Sequence, residues 1–395
     1  MDTLIDFLQR EDVKQYIQEN ITSDINRLVL NPPAVFKEEI KHIAAQILAR
    51  QKVKGKLDGW ATNFDLIMPP PLSIEQASSE VTCGYKKQLI TGDHLVDLTG
   101  GMGIDFLALS ESFEHATYVE KELQLCNVFQ HNMTVLDRQL EVVNADASWF
   151  LANHKSNPKG TVIYVDPARR NQQKSRVFKM EDCSPNLIDL LPVLKQKANK
   201  VLIKYSPLLD IQVILKSLPH VKEVHVVSVK NDCKELLILV DFEFNGIPQI
   251  HCINLGSEQP DYTFQIEGEK KSIARFEELG PYLFEPNSSI MKAGAFKKIA
   301  LDFNLGKLSE NTHLYTLDVP INALPGRVFK VVANADKQAI KEFAPEGKIN
   351  VITRNYPLTA NELKKKWKLR DGGGYYLVAF RDMNDKARMV IVGRL

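Results

Sequence analysis

Four carboxylates in this sequence follow short apolar runs at intervals that could build one binding site: Asp97, Glu120, Asp146 and Asp166. The first closes the run Leu95-Val96 and opens a loop carrying Gly100, Gly101 and Gly103. Phe106 to Leu109 then reads as the first turns of a helix. A strand, an acid, a glycine-rich turn and a helix make up the opening unit of an α/β nucleotide-binding domain. Glycines are expected there because the backbone turns sharply and a ligand must approach it without a Cβ in the way.

The residues around the loop discriminate between nucleotides. A dinucleotide fingerprint needs a third glycine, but Gly101-Met102-Gly103 is followed by Ile104, Asp105 and Phe106. Asp97, just ahead of the glycines, would repel a pyrophosphate. The phosphate-loop Lys-Ser/Thr pair is absent as well. An acid at this point suits a ligand with a positive group, and S-adenosyl-L-methionine (SAM) carries an ammonium and a sulfonium but no phosphate. Glu120 comes 23 residues after Asp97, where a carboxylate accepts both ribose hydroxyls. Asp146, in NADAS, is placed to accept from the adenine amino group, and Asp166 ends the next strand in VIYVDPARR. Any one of them reads equally well as an ordinary strand-end acid; four in this order and spacing point to a SAM site.

The elements that must position these acids alternate along the chain. Strands are expected at Leu95–Leu98, Thr117–Glu120, Leu140–Asn144, Thr161–Val165 and Lys200–Lys204, with helices at Leu123–Leu136 and Asn186–Lys197 between them. That alternation predicts a parallel sheet covered by helices. Glu223–Val229 and Glu235–Phe242 then read as a hairpin. Five parallel strands finished by an antiparallel hairpin would make a seven-stranded, Rossmann-like sheet that resembles the arrangement of class I methyltransferases. Upstream, Val13, Tyr16, Ile17, Ile21 and Ile25, then a run from Ala34 to Val53, recur at helical spacing around Asn31-Pro32-Pro33. Ile74, Ala77 and Val81 space as one face of a helix leading into the glycine strand. Beyond the sheet, strands are expected at His313–Leu317, Val328–Ala333, Ile349–Thr353 and Tyr375–Ala379. Leu358 to Trp367 reads as a helix capped by Thr359, with Glu362 closing a capping box.

Length and composition agree with an α/β protein of two or more domains. The chain has 395 residues, 44% hydrophobic and 25% charged, and a net charge of +1. No apolar run approaches the roughly 20 residues of a membrane span, and the N-terminus does not read as a secretion signal. The five cysteines are scattered, with no CxxC pair or Cys/His cluster to suggest zinc or disulfides, so a reduced, cytoplasmic setting is expected. Charge is uneven: from Ala323 to Leu395 there are 15 Lys and Arg against 7 Asp and Glu, about +8. This fits an anionic partner or a solvated basic face. In the same region Lys364-Lys365-Lys366-Trp367-Lys368 reads as a phosphate grip with a stacking ring, or as a solvated helix face with Trp367 in the core.

DLTGGMG (Asp97–Gly103), NADA (Asn144–Ala147), DPARR (Asp166–Arg170) and EQASSE (Glu75–Glu80) resemble a family of bacterial class I SAM-dependent methyltransferases. Members carry ferredoxin-like and THUMP-like modules at the C-terminus, where the resemblance rests on EPNSSIMKAG (Glu285–Gly294), TRNYP (Thr353–Pro357) and KLRDGGGYY (Lys368–Tyr376). It implies a helical N-terminal domain over 1–88, a methyltransferase domain over 89–245, and a C-terminal α+β region. That region divides into a ferredoxin-like segment, 246–322, and a THUMP-like module, 323–395. It implies RNA, tRNA or rRNA, as partner, while the apolar runs and scattered cysteines lead to the expectation of no membrane and no metal. Thr99 in place of a first glycine, and Gln76-Ala77-Ser78-Ser79 ahead of the loop, resemble nucleic-acid amino-methyltransferases.

An exocyclic amine is a poor nucleophile, and a carbonyl or carboxylate acceptor on a proline-fixed turn would hold its N–H groups. Asp166-Pro167 supplies both, but the aromatic that follows in those enzymes is replaced by Ala168, Arg169 and Arg170. The arginines are expected to stack or contact phosphate, unless they pair with Glu181 or Asp182. Lys204, or Tyr205 beside it, is expected to face the same cleft and contribute to substrate binding; a strand-end lysine with a solvated head is the equal alternative. The candidate catalytic set is therefore Asp166, Pro167, Arg169 and Lys204. The candidate cofactor set is Gln76, Ser78, Ser79, Asp97, Thr99, Gly101, Gly103, Glu120, Asp146 and Asp166. The expected activity is methylation of a base amine in RNA; methylation of a protein or small molecule, or SAM and RNA binding without turnover, are the alternatives.

Overall fold

The structure is a computed structural model that describes residues 3–71, 74, 77–169 and 180–395, with Thr3 and Arg169 described by backbone alone. The chain divides into two compact units, Met1–Lys222 with Leu237–Asn245, and Glu223–Leu236 with Gly246–Leu395.

The first unit is built on strands β1 (Gly92–Asp97), β2 (Phe113–Glu120), β3 (Glu141–Asn144), β4 (Thr161–Val165) and β5 (Lys200–Tyr205). Its sheet runs β7-β5-β4-β1-β2-β3, where β7 (Asp232–Asp241) contributes its second half. β1 pairs in parallel with β2 and β4, β2 with β3, and β4 with β5. Every residue of β4, TVIYV, is buried, as expected of a central parallel strand covered on both faces. Parallel pairing puts the carboxyl ends of all these strands on one edge, the edge where such sheets bind ligands.

Among the described residues, helices α1 (Thr3–Leu8), α2 (Glu11–Glu19), α3 (Ile25–Leu30), α4 (Ile40–Val53) and α5 (Asp58–Thr62) come first. The amphipathic run expected from Ala34 is split, because the prolines lead into a 3-10 turn at Ala34–Phe36 and α4 starts only at Ile40. Ile17, Phe36, Ile43 and Ile47 form one core with Ile67 and Val128. Ala49, Val53 and Leu57 form another with Met102 and Ile104 of the glycine turn. These helices therefore bury apolar surface against the region that carries the carboxylates. Arg50, 3% exposed, ties the bend after α5 by donating to the carbonyls of Asn63 and Leu66 at 2.8 and 2.5 Å.

The helix expected through Ile74, Ala77 and Val81 does not form as one face. Helix α6 (Glu80–Lys87) begins only after Ser79, which caps it through a reciprocal box with Thr82. Val81 is left 50% exposed. Around the sheet follow α7 (Ile104–Ser110), α8 (Leu123–Val135), α9 (Ala147–Asn153), α10 (Leu187–Lys197) and α11 (Ile211–Ser217).

β6 (Val221–Val229), which belongs to the second unit from Glu223 on, turns into the first half of β7 through Lys230 and Asn231, both at positive φ, as a two-residue hairpin requires. Two strands were not foreseen beyond it. β8 (Gln249–Leu255) pairs parallel with β6, and β9 (Tyr262–Phe264) pairs antiparallel with β8. β8 and β9 come in addition to the seven strands expected.

A second sheet holds β10 (Tyr282–Pro286), β11 (Gly306–Lys307), β12 (Tyr315–Leu317), β13 (Gly326–Asn334), β14 (Asn350–Arg354), β15 (Tyr375–Arg381) and β16 (Ala387–Arg394). Its order is β11-β12-β10-β13-β16-β15-β14. Glu285 at the end of β10 is 2% exposed and is held between Arg327, whose Nε lies 2.9 Å away, and Arg354, whose Nη2 lies at 2.5 Å. Two guanidiniums on one buried carboxylate meet the condition under which burying charge is tolerated. Helix α12 (Ala360–Trp367) starts with the Thr359–Glu362 capping box that its sequence predicts. Trp367 packs onto the cluster of Ala339, Ile340 and Leu377, and Lys364 pairs with Asp371, which matches a solvated face over a core tryptophan. Among the described residues no helix is long and apolar enough to cross a membrane.

Candidate functional site

The ends of β1, β2, β3 and β4 ring one cavity of about 500 Å³ within the first unit. Its lining carries six carboxylates, Asp97, Asp105, Glu120, Glu122, Asp146 and Asp166, and two lysines, Lys121 and Lys204.

The glycine turn is shaped by the aromatic residues beneath it. Tyr118 and Phe129 stack at 4.0 Å with Phe106 edge-on to both. A Cβ on Gly100 would lie 2.2 Å from the Tyr118 ring, and one on Gly103, at φ +79°, would lie 2.2 Å from Phe129. Gly103 therefore lets the turn close onto the Phe129 ring. Gly101, at φ +54°, is different: a Cβ there would have only the Thr99 carbonyl within 4 Å, at 3.6 Å. This glycine leaves open the cavity side of the turn.

Backbone donors fix three of the strand-end acids, Asp97, Glu120 and Asp146. Asp97 is 1% exposed, and its Oδ1 accepts the Thr99 N–H at 2.8 Å and the Thr99 hydroxyl at 3.2 Å. Burial pushes its pKa up to about 8 against those hydrogen bonds, and Asp105 and Asp166 add to the rise. Glu120 accepts the N–H of Gly101 at 2.9 Å on one oxygen and that of Glu122 at 3.0 Å on the other. A carboxylate has about four acceptor sites, so two remain for a ligand. Asp146 caps α9 through the Ser148 N–H at 2.8 Å and is exposed at the rim.

The deepest part of the cavity holds a charge network whose centre, Asp105, was not picked out from the sequence. Asp105 Oδ1 lies 3.1 Å from Lys86 Nζ. Its Oδ2 accepts from Tyr164 at 2.9 Å and Ser78 at 2.8 Å and lies 3.2 Å from Lys204 Nζ. Burial works against the charge of Asp105, but Lys86 and Lys204 outweigh it and hold the carboxyl well below the usual range. Lys204 reaches on to Asp166 Oδ2 at 2.5 Å. Ser78 donates to Asp105 and accepts from Lys86 at 2.9 Å and Lys204 at 3.3 Å, so its one donor and two lone pairs are all engaged.

Of the expected residues, the structure gathers Ser78, Asp97, Thr99, Gly101, Gly103, Glu120, Asp146, Asp166 and Lys204 around the cavity. Ser79 is not in the lining, because its hydroxyl caps α6. Pro167 is buried behind the lining, and so is Tyr205. Gln76, Arg170 and the Arg169 side chain lie outside the described residues. Ala168–Arg169 pairs antiparallel with Cys183–Ser184, and Ala168, Ser184 and Pro185 close the side of the cavity beyond Asp166. Lys86 was missed because it looks like its neighbour Lys87; only its place on the Thr82-Cys83-Lys86 face of α6 marks it as buried.

The cavity fits SAM on three counts. Its volume lies within the range of about 300–1,000 Å³ typical of small-ligand sites. Even with Asp97 protonated, its five other acids outnumber its two lysines, which suits a cationic ligand without phosphate. Finally, Gly101 leaves its backbone approachable.

Comparison with known proteins extends over the whole chain. Residues 80–186 match a family model described as conserved hypothetical protein 95. Residues 282–325 match a ferredoxin-like domain and 326–394 a THUMP domain-like model. β10 pairs antiparallel with β13, so one sheet runs through both of the latter. No curated protein matches the sequence. A crystal structure of a Porphyromonas gingivalis W83 protein assigned as a methyltransferase is 31% identical, covering 98% of each chain at a TM-score of 0.84. An Escherichia coli protein with the same assignment is 22% identical over 41% of this chain and 84% of its own, at a TM-score of 0.30. A T. thermophilus 16S rRNA methyltransferase, solved with AdoMet and guanosine, is 12% identical over 44% and 43%, at 0.31. The last two likenesses are too loose to decide anything about this chain.

Proposed function

Because this chain belongs to the bacterial class I SAM-dependent methyltransferases with ferredoxin-like and THUMP-like C-terminal modules, we propose that it methylates an exocyclic amine of a base in tRNA or rRNA. The observation that carries this reading is the Asp166–Lys204 pair at the end of β4, on the wall of the cofactor cavity and directly before a buried proline.

In this reading Glu120 accepts the ribose hydroxyls, Asp146 the adenine amino group, and Asp97 with the Thr99–Gly103 turn receives the cationic methionine end. Once bound, SAM supplies a methyl group already activated by its sulfonium, so alignment is the main task left to the protein. Asp166 accepts an N–H of the target amine and turns its lone pair out of conjugation with the ring. Lys204 acts through Asp166 as a positioning residue, holding the carboxylate as an acceptor, and the proton lost from nitrogen leaves to water. Arg169 and Arg170 supply stacking or phosphate contact in place of the absent aromatic. The THUMP-like module, with its excess of about eight positive charges from Ala323 onward, supports an RNA substrate.

The test is transfer from tritiated SAM to total RNA of a strain lacking the gene. Label in RNA is expected; label only in protein or small molecules overturns the RNA reading. Asp166→Ala is expected to cut turnover by roughly 100-fold or more, as misaligned reactants do, with SAM affinity retained. Undiminished turnover removes Asp166 from its role.

A further inference from the structure

Glu223 and His225 stand two residues apart on one face of β6, and the parallel register sets His225 opposite His251 on β8. β9 in turn sets Thr263 opposite His251. All four residues lie within the second unit. The two imidazoles stack at 4.6 Å and 11°, and Nε2 of His225 lies 3.1 Å from Glu223 Oε2. One donor atom from each of Glu223, His225 and His251 lies within 4.8 Å of the others.

The two nitrogens of His251 have unlike surroundings. Nδ1 lies 3.0 Å from the Thr263 hydroxyl. Nε2 is buried and has no hydrogen-bond partner. An unsatisfied buried polar atom costs about 1–3 kcal/mol, so a site that leaves one needs a reason.

We propose that Glu223, His225 and His251 bind a divalent transition ion of the zinc type, with Thr263 orienting His251. Two imidazoles and a carboxylate suit Zn2+ or Co2+, whereas Mg2+ and Ca2+ prefer all-oxygen sets. Three protein donors leave a fourth position for water or another ligand. With an ion on Nε2 the proton sits on Nδ1, 3.0 Å from the Thr263 hydroxyl that can accept it, the outer-shell arrangement usual for a metal-bound histidine. The ion would join β6 to β8 directly, so holding it stabilises the folded chain. None of these residues lines the cofactor cavity.

The experiment titrates Co2+ alone into the full chain after chelator treatment, following the visible d–d bands and the metal content after dialysis. One Co2+ per chain, displaced by Zn2+ and raising the thermal midpoint, is expected. His251→Gln is expected to abolish uptake. Thr263→Val, which leaves all three ligands in place, is expected to weaken it roughly 10- to 100-fold. Unchanged circular dichroism of both metal-free variants verifies their fold, and if His251→Gln does not fold, Thr263→Val decides. No saturable uptake, thiolate charge-transfer bands that put the ion on a cysteine, or affinity unaltered in the folded variants overturns the site.

Discussion

The Thr99 hydroxyl accepts the backbone N–H of Asp166 at 2.7 Å. The same oxygen donates to Asp97 Oδ1 at 3.2 Å. One side chain therefore links the turn after β1 to the turn after β4, and so the proposed cofactor end of the cavity to the proposed acceptor end. A glycine at this position would leave both partners without that link.

Thr99→Val keeps the shape and removes the link. The Asp166 N–H loses its acceptor, and a loss of about 1–3 kcal/mol is expected for a buried group left unsatisfied. Urea denaturation reads this directly, and an unchanged midpoint would show that the link contributes nothing.

Asp97 gives the apo protein a pH signature. Its carboxyl is protonated in the fold up to about pH 8, whereas in an unfolded chain it ionises near its ordinary value of about 4. Between those limits the native state binds more protons, so stability falls as pH rises from about 4 to about 8. Asp97→Asn lacks this slope. Thermal midpoints of wild type and variant measured across the window should converge at the acid end and part at the alkaline end, with wild type the lower. Parallel curves would falsify the shift.

Asp105 compensates two cations at once. Asp105→Asn leaves the fully buried Lys86 facing an amide, and breaking a buried pair from one side costs about 3–5 kcal/mol. Removing the second charge as well, in Asp105→Asn with Lys86→Met, should recover part of the loss. A double variant no more stable than Asp105→Asn alone would argue that the charge on Lys86 is not the source of the penalty.

The loop glycines separate by function. Gly103→Ala drives a Cβ into Phe129, so the variant should be strongly destabilised in chemical denaturation. Gly101→Ala meets no close atom and is expected to cost only about 1–2 kcal/mol of left-handed backbone strain. Its Cβ should instead weaken SAM binding in calorimetry. Equal SAM affinity in Gly101→Ala and wild type would mean that the ligand does not approach the turn from that side.

How much of this was readable beforehand follows from how local each signal is. The acids that close β1, β2 and β4, the glycine turn and the Thr359–Glu362 box all declare themselves within a few residues. Lys86 and Asp105 do not, because each looks like an ordinary helix charge until α6 and α7 are placed together. Ser79 was read toward the ligand, but its hydroxyl was needed to start α6. β8 was hidden behind Gly246–Pro248, which reads as the exit from the sheet although the strand that follows pairs back onto β6. His225 and His251, far apart in sequence, become neighbours only through that pairing.

β7 belongs to both units, Asp232–Leu236 in one and Leu237–Asp241 in the other. During synthesis the first sheet therefore stays open along β5 until residues of the second unit have already been made. A fragment ending at Lys222 would expose the edge of β5 to any strand able to pair with it. The chain has no single point at which it can be cut to release two whole units.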